Sequence, residues 1–149
     1  EADAERIRST SQVLRKDFSA TAYARMGSLV AAEAQSVAGA NDAAIENLRW
    51  VVDKGGDEIF VLVARLRLAS LLIESQAWDE AARVLDVETP SAFAGLYADR
   101  RGDLAMAQGR KDEARAAYGK ALETLGPATP IARLVQLKLD SLGSTGTGS

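Results

Sequence analysis

The stretch GDLAMAQGRKDEARAAYGKA, residues 102–121, decides the fold, because it is the clearer copy of a unit that occurs twice. The other copy is ASLLIESQAWDEAARVL, residues 69–85. The tripeptide Asp-Glu-Ala of residues 79–81 returns 33 residues later, at 112–114. A fixed period of this length is typical of helical repeat proteins, in which each unit is a pair of antiparallel helices. Such pairs stack because neither helix can bury its apolar side alone.

The small and aromatic residues of the unit follow the pattern of the tetratricopeptide repeat, whose period is about 34 residues. Ala69, Ala81, Gly102 and Ala114 lie where helices cross closely, so we interpret them as packing residues. A glycine inside a helix costs about 0.5–1 kcal/mol relative to alanine, which is a further reason to expect that Gly102 has a packing role. Ala44 takes the place of Ala81 in an earlier and longer unit.

Helical periodicity and turn residues predict an all-α, tetratricopeptide-like helical repeat solenoid of about three helix pairs plus a C-terminal capping helix. We expect one domain over residues 1–142 and a disordered tail over 143–149, where the sequence is low in complexity and in apolar residues. The predicted helices cover residues 4–16, 20–38, 43–53, 57–73, 78–87, 92–107, 111–125 and 131–142.

Two of these helices carry more detailed predictions. In the second, the apolar side should consist of Tyr23, Met26, Leu29, Val30 and Val37. The last helix should begin with a threonine N-cap followed by proline, at residues 129–130, and should turn a polar outer face to solvent, as the terminal element of a repeat array does.

Composition excludes several classes of function. The net charge of −3 provides no basic surface for nucleic acid. The chain has no histidine and no cysteine, so the commonest general base, metal ligand and thiolate nucleophile are missing. Gly55-Gly56 lacks the further glycine and lysine of a phosphate-binding loop. We therefore expect no enzyme, no cofactor and no metal. An enzyme built on carboxylates, hydroxyls or lysine is the remote alternative.

One pair of carboxylates could carry chemistry. Asp99 and Asp103 are four residues apart and lie on one helical face, where they could supply oxygen ligands or acid and base groups. Arg100 and Arg101 lie between them, and mutual neutralisation on a solvated helix face is the more common outcome of such mixed charges.

A repeat array also predicts a binding groove, because the first helix of each unit lines the concave surface. The register set by Ala69 and Gly102 places a mixed apolar and charged set of side chains there, which suits an extended or helical peptide. A merely solvated concave face is the alternative. The predicted groove residues are Val63, Leu66, Arg67, Ser70, Ile73, Glu74, Leu96, Asp99, Arg100, Asp103 and Met106.

Beyond the generic repeat, five segments carry a more specific resemblance, and together they span nearly the whole chain. They are DFSATAYA at residues 17–24, LRLA at 66–69, YADRRGD at 97–103, QGRKDEARAAY at 108–118 and LKL at 137–139. In these segments the chain resembles the YfgM family of ancillary Sec-translocon subunits.

The resemblance implies a membrane-anchored protein-binding domain in the bacterial inner membrane, facing the periplasm. Its partners would be Sec translocon subunits, periplasmic chaperones or translocating polypeptides. This chain has no uninterrupted apolar run of about 18 residues and begins at Glu1, so we expect the anchor to precede it. A soluble, cytoplasmic repeat scaffold that assembles another complex stays open as the alternative.

Overall fold

A computed structural model describes residues 2–18 and 21–143, and this part of the chain is helical, without strands. The predicted all-α repeat fold is confirmed. The helices are α1 (Ala2–Asp17), α2 (Ala22–Val37), α3 (Asn41–Lys54), α4 (Glu58–Glu74), α5 (Trp78–Leu85), α6 (Ser91–Ala107), α7 (Lys111–Thr124) and α8 (Pro130–Ser141).

Side-chain caps begin three of these helices. Thr21 accepts a hydrogen bond from the Ala24 N–H, and Asp57 accepts one from the Ile59 N–H at 2.9 Å. Thr129 accepts one from the Ala132 N–H, with Pro130 in the first turn, which confirms the predicted cap. A side-chain oxygen in this position satisfies an N–H group that has no partner within the helix.

The turns that follow α2, α4 and α6 are built alike. Each has one residue with positive φ, and the next N–H group donates to a carbonyl five residues back at 2.8 Å, which is a Schellman-type helix end. Glycine avoids the steric cost of positive φ, but the turn after α4 uses glutamine. The residues with positive φ are Gly39, Gln76 and Gly109.

The chain divides into two compact units, Glu1–Leu71 and Leu72–Ser149, with the boundary inside α4. In the first unit, the α2–α3 pair buries Ala24, Leu29, Ala44, Leu48 and Val51. In the second, one apolar cluster joins α6, α7 and α8; its buried members are Ala98, Ala105, Ala114, Tyr118, Ala121 and Val135. A single domain over residues 1–142 stays a prediction, and 144–149 of the predicted tail lie outside the described residues.

The α8 helix differs from its prediction. Val135 is fully buried, but Ile131, Leu134 and Leu137 are exposed, so the expected polar outer face is wrong. The physical reason is that apolar residues lie on two sides of this helix, and Val135 and Ala132 fill the inner side. Among the described residues, no helix is both long and apolar enough to cross a membrane.

Candidate protein-binding surface

The repeat register is visible as a set of small buried side chains. In the first helix of each pair these are Ala32, Ala69 and Gly102, and each lies twelve residues before a buried alanine of the second helix: Ala44, Ala81 and Ala114. A Cβ atom added to Gly102 would lie 2.4 Å from Cε1 of the Tyr118 ring. The predicted packing role of Gly102 is therefore confirmed.

In the first unit, the predicted groove positions of α4 lie at least partly in solvent. Val63, Leu66 and Ser70 are half-buried, and the Ser70 hydroxyl donates to the Leu66 carbonyl at 3.1 Å. Arg67 is exposed and reaches α2, where Nη1 lies 3.3 Å from Oε2 of Glu33. The α4 positions thus adjoin α2, and an ion pair connects the two helices.

In the second unit, the predicted positions divide into apolar and charged ones. Ile73, Leu96 and Met106 are half-buried, and Met106 packs against the cluster of α6, α7 and α8. Glu74, at the end of α4, is exposed.

The charged positions of α6 have partners within the chain. Nζ of Lys138, on α8, lies 2.8 Å from Oδ1 of Asp99 and 2.8 Å from Oδ1 of Asp103. Arg100 donates to Oδ2 of Asp103 at 2.9 Å. Asp99 is only 6% exposed, so the interpretation of this carboxylate as part of a solvated helix face is wrong. A buried carboxylate requires such a partner because its desolvation is costly.

Tyr118, on α7, completes this network. Its hydroxyl donates to Oδ1 of Asp103 at 2.8 Å, and Nζ of Lys138 lies 5.6 Å from the ring centroid. Burial raises the pKa of the Tyr118 hydroxyl well above its usual range, and the hydrogen bond to the Asp103 carboxylate adds to that shift. The polar groups of α6 therefore bind side chains of both α7 and α8.

The predicted groove did not include α2, the first helix of the α2–α3 pair. Ala32 precedes Ala44 by the repeat's own interval, and this signal was available. The register of Ala69 and Gly102, carried to Ala32, places six residues of α2 at the corresponding positions: Met26, Leu29, Val30, Glu33, Ser36 and Val37.

Exposure agrees with that register for Met26, Val30 and Val37, whereas Leu29 is buried. Tyr23 is 81% exposed, Met26 48%, Val30 63% and Val37 86%. Of the five residues predicted on the apolar side of this helix, only Leu29 is buried. The apolar side predicted for this helix therefore faces outward, apart from Leu29.

Apart from Leu29, the inner side of α2 is formed by alanines and polar groups. Gln35 and Asn47 are fully buried, and Nδ2 of Asn47 donates to Oε1 of Gln35 at 2.8 Å. The hydroxyl-bearing side chain of Ser28 is buried as well. On the α2 side of the α2–α3 pair, packing is thus by small and amide side chains together with Leu29, while the other large apolar side chains of α2 face outward.

Comparison with known proteins adds to this geometry. A protein-family model described as a tetratricopeptide repeat-like domain matches residues 1–144. The chain is 32% identical over 129 residues to a protein of Neisseria gonorrhoeae named ancillary SecYEG translocon subunit. It is 30% identical over 87 residues to a protein of the same name from Escherichia coli. The resemblance noted from the sequence is confirmed.

The match covers 87% of this chain and 62% of the Neisseria protein, and 58% of this chain and 41% of the Escherichia coli protein. The chain thus spans less than two thirds of these curated relatives. No solved structure matches it significantly.

Proposed function

Since the chain belongs to the tetratricopeptide repeat-like domain family, we propose that it is the protein-binding domain of an ancillary subunit of the Sec translocon. The observation that carries this proposal is the likeness to two proteins with that name, at 32% and 30% identity. A repeat array of this kind offers a binding surface and carries no chemistry of its own, so the role is that of a scaffold.

The finer part of the proposal follows from the family resemblance. The domain would lie at the periplasmic face of the inner membrane, held there by an anchor in the rest of the protein. It would pass emerging polypeptides between the translocon and periplasmic chaperones. The exposed ion pair and half-buried apolar residues of α4 support a surface that binds polypeptides.

The two helices of the predicted groove, α4 and α6, do not support this proposal equally. Leu66 and Arg67 on α4 reach solvent and can contact a partner directly. Asp99, Arg100 and Asp103 on α6 already bind one another or Lys138, so substitution there would disturb the fold as well as binding. Tests of binding therefore belong on α4.

The experiment is co-purification from the organism's own membranes. The full-length protein carries a tag, and recovery of the SecY, SecE and SecG channel proteins is measured for the wild type and for Leu66→Ser and Arg67→Glu. Lys120→Glu, an exposed charge reversal on α7, is the matched control. We expect the α4 variants to recover less channel protein than the control. If a protein that lacks residues 1–149 recovers as much channel as the wild type, the proposed function is wrong.

A further inference from the structure

The outer side of α8 lies where the repeat pattern places a further helix. Ile131 and Leu137 are 40% and 65% exposed, whereas the residues 33 positions earlier, Ala98 and Leu104 of α6, are buried. Leu104 lines a cleft together with residues of α5 and α7. In a helical repeat, each unit covers apolar residues of the unit before it. Since α8 is the last of the described helices, its corresponding residues are left in solvent.

The exposed residues of α8 have the spacing of a seam between two paired helices. They are Pro130, Leu134, Leu137 and Ser141, at intervals of four, three and four residues. Side chains at such intervals lie along one line on a helix, as the central positions of a coiled coil do. Beside Leu137, a cleft lined by Leu122 of α7 can receive a side chain of a second helix. This seam therefore suits an α-helix.

Two opposite charges border the seam on one side. Arg133 and Asp140 are exposed and seven residues apart, so they lie on the same side of α8. Neither forms an ion pair with another of the described residues. The Arg133 guanidinium donates to the Ala128 carbonyl at 3.5 Å. The Asp140 carboxylate accepts from the Gln136 amide at 2.8 Å. Both charges can therefore pair with charges of a second helix.

A second copy of α8, packed antiparallel on the first, matches both the seam and the charges. In this arrangement Leu134 of each copy lies opposite Leu137 of the other. Arg133 of each copy then lies beside Asp140 of the other, so two ion pairs form. In a parallel pair, Arg133 would instead lie beside Lys138 of the other copy, which is a like charge. Because an antiparallel pair of identical helices has a two-fold axis, every contact is made twice.

We propose that α8 is a self-association surface, at which two copies of this chain pair antiparallel through Leu134 and Leu137. The inference goes beyond the proposed function, because it concerns contact between two copies of the chain and not contact with the translocon. Two helices of 12 residues overlap for about 18 Å. A contact of this length is at the small end of protein interfaces, below about 1,200 Å² in total. The dimer should therefore be weak and should exchange with monomer.

Sedimentation velocity of the 149-residue chain measures the dimer fraction. We expect this fraction to rise for the wild type between about 0.02 and about 0.5 mM chain, as it does for a weak complex. Leu134→Glu and Leu137→Glu should each weaken dimerisation by about tenfold or more, because each places a charge against an apolar residue of the other copy. Val30→Glu is the matched control: Val30 is 63% exposed, close to the 65% of Leu137, and lies on α2. Its dimer fraction should equal that of the wild type.

Charge reversal tests the antiparallel orientation. Arg133→Glu alone and Asp140→Arg alone should each weaken dimerisation by about tenfold, because like charges then face each other across the two-fold axis. An equimolar mixture of these two variants should dimerise nearly as well as the wild type, since every acidic position in the mixed pair faces a basic one. Circular dichroism establishes that each variant is folded, and recovery in the mixture is a second control for folding.

Three outcomes would overturn the inference. A wild-type chain that stays monomeric at about 0.5 mM has no such surface. A mixture of the charge variants that dimerises no better than its components excludes the antiparallel pair. Loss of the dimer in Val30→Glu but not in Leu134→Glu would place the contact on α2. None of these results bears on channel recovery by the α4 variants, so the proposed function stands or fails separately.

Discussion

A methyl group placed on Gly102 tests the register of the whole array. The added Cβ would lie 2.4 Å from Cε1 and 2.5 Å from Cδ1 of Tyr118, closer than carbon atoms can approach. The ring is buried, and the hydrogen bond from its hydroxyl to Asp103 holds it in place. Overpacking of this kind costs about 1–3 kcal/mol, whereas alanine gains about 0.5–1 kcal/mol over glycine in a helix. We expect Gly102→Ala to lower the free energy of unfolding by about 1–2 kcal/mol.

Gly119 provides the matched control, because it is also inside a helix but an added Cβ would meet nothing within 4 Å. Gly119→Ala should raise the free energy of unfolding by about 0.5–1 kcal/mol. Urea unfolding followed by circular dichroism measures both changes. In a Tyr118→Leu background, which lacks the aromatic ring, the cost of Gly102→Ala should shrink. A Gly102→Ala protein as stable as the Gly119→Ala protein would refute the packing argument.

Three further predictions concern the α6–α8 network and the turns. Lys138→Met should lower the free energy of unfolding by about 2–3 kcal/mol, because it leaves the Asp99 carboxylate buried without its cation. Adding Asp99→Leu should recover most of that loss. A loss below about 0.5 kcal/mol for Lys138→Met alone would contradict this. Above pH 10 the unfolded chain ionises Tyr118, whereas the folded chain keeps it protonated because the pKa of this hydroxyl is raised. The free energy of unfolding should therefore fall by about 1 kcal/mol between pH 10 and 11. Tyr118→Phe should reduce this decline, which urea unfolding at the two pH values measures. Gln76→Gly should raise the melting temperature and Gly109→Ala should lower it, since both positions have positive φ; a lower melting temperature for Gln76→Gly would contradict the turn argument.

The repeat fold could be predicted because its signal is local and periodic. Gly102, Ala114 and Tyr118 lie within one stretch of sequence, and the spacing of small residues alone sets which helix faces meet. Helix caps such as Thr129 are likewise encoded within a few residues. These features depend little on the rest of the chain.

The inner side of α2 could not be read from apolar periodicity, because that signal identifies the more apolar face and not the buried one. Tyr23, Val30 and Val37 make the stronger stripe, but Ala32 and Gln35 are the residues that pack. The repeat interval from Ala32 to Ala44 would have identified the packed face, had it been applied to this helix.

The network on α6 escaped prediction for a different reason. Asp99 and Lys138 are 39 residues apart in sequence, and nothing near either of them indicates the pairing. Local charge balance favoured Arg100 and Arg101 as the partners of the aspartates. Arg100 does bind Asp103, whereas the guanidinium of Arg101 donates to the Leu85 carbonyl at 2.7 Å.

On α2, polar side chains lie on the inner side and apolar side chains on the outer side, so binding of a partner there would affect the stability of the first unit. A helix with amides such as Gln35 on its inner side and hydrocarbon such as Val30 on its outer side obtains only part of its possible hydrophobic stabilisation within the chain. Any ligand that covers the outer side adds the remainder, and by mass action it shifts the folding equilibrium of α2 toward the native state. Amide hydrogen exchange in α2 should then slow as the partner's concentration rises, so this helix would report occupancy through its own rate of local opening.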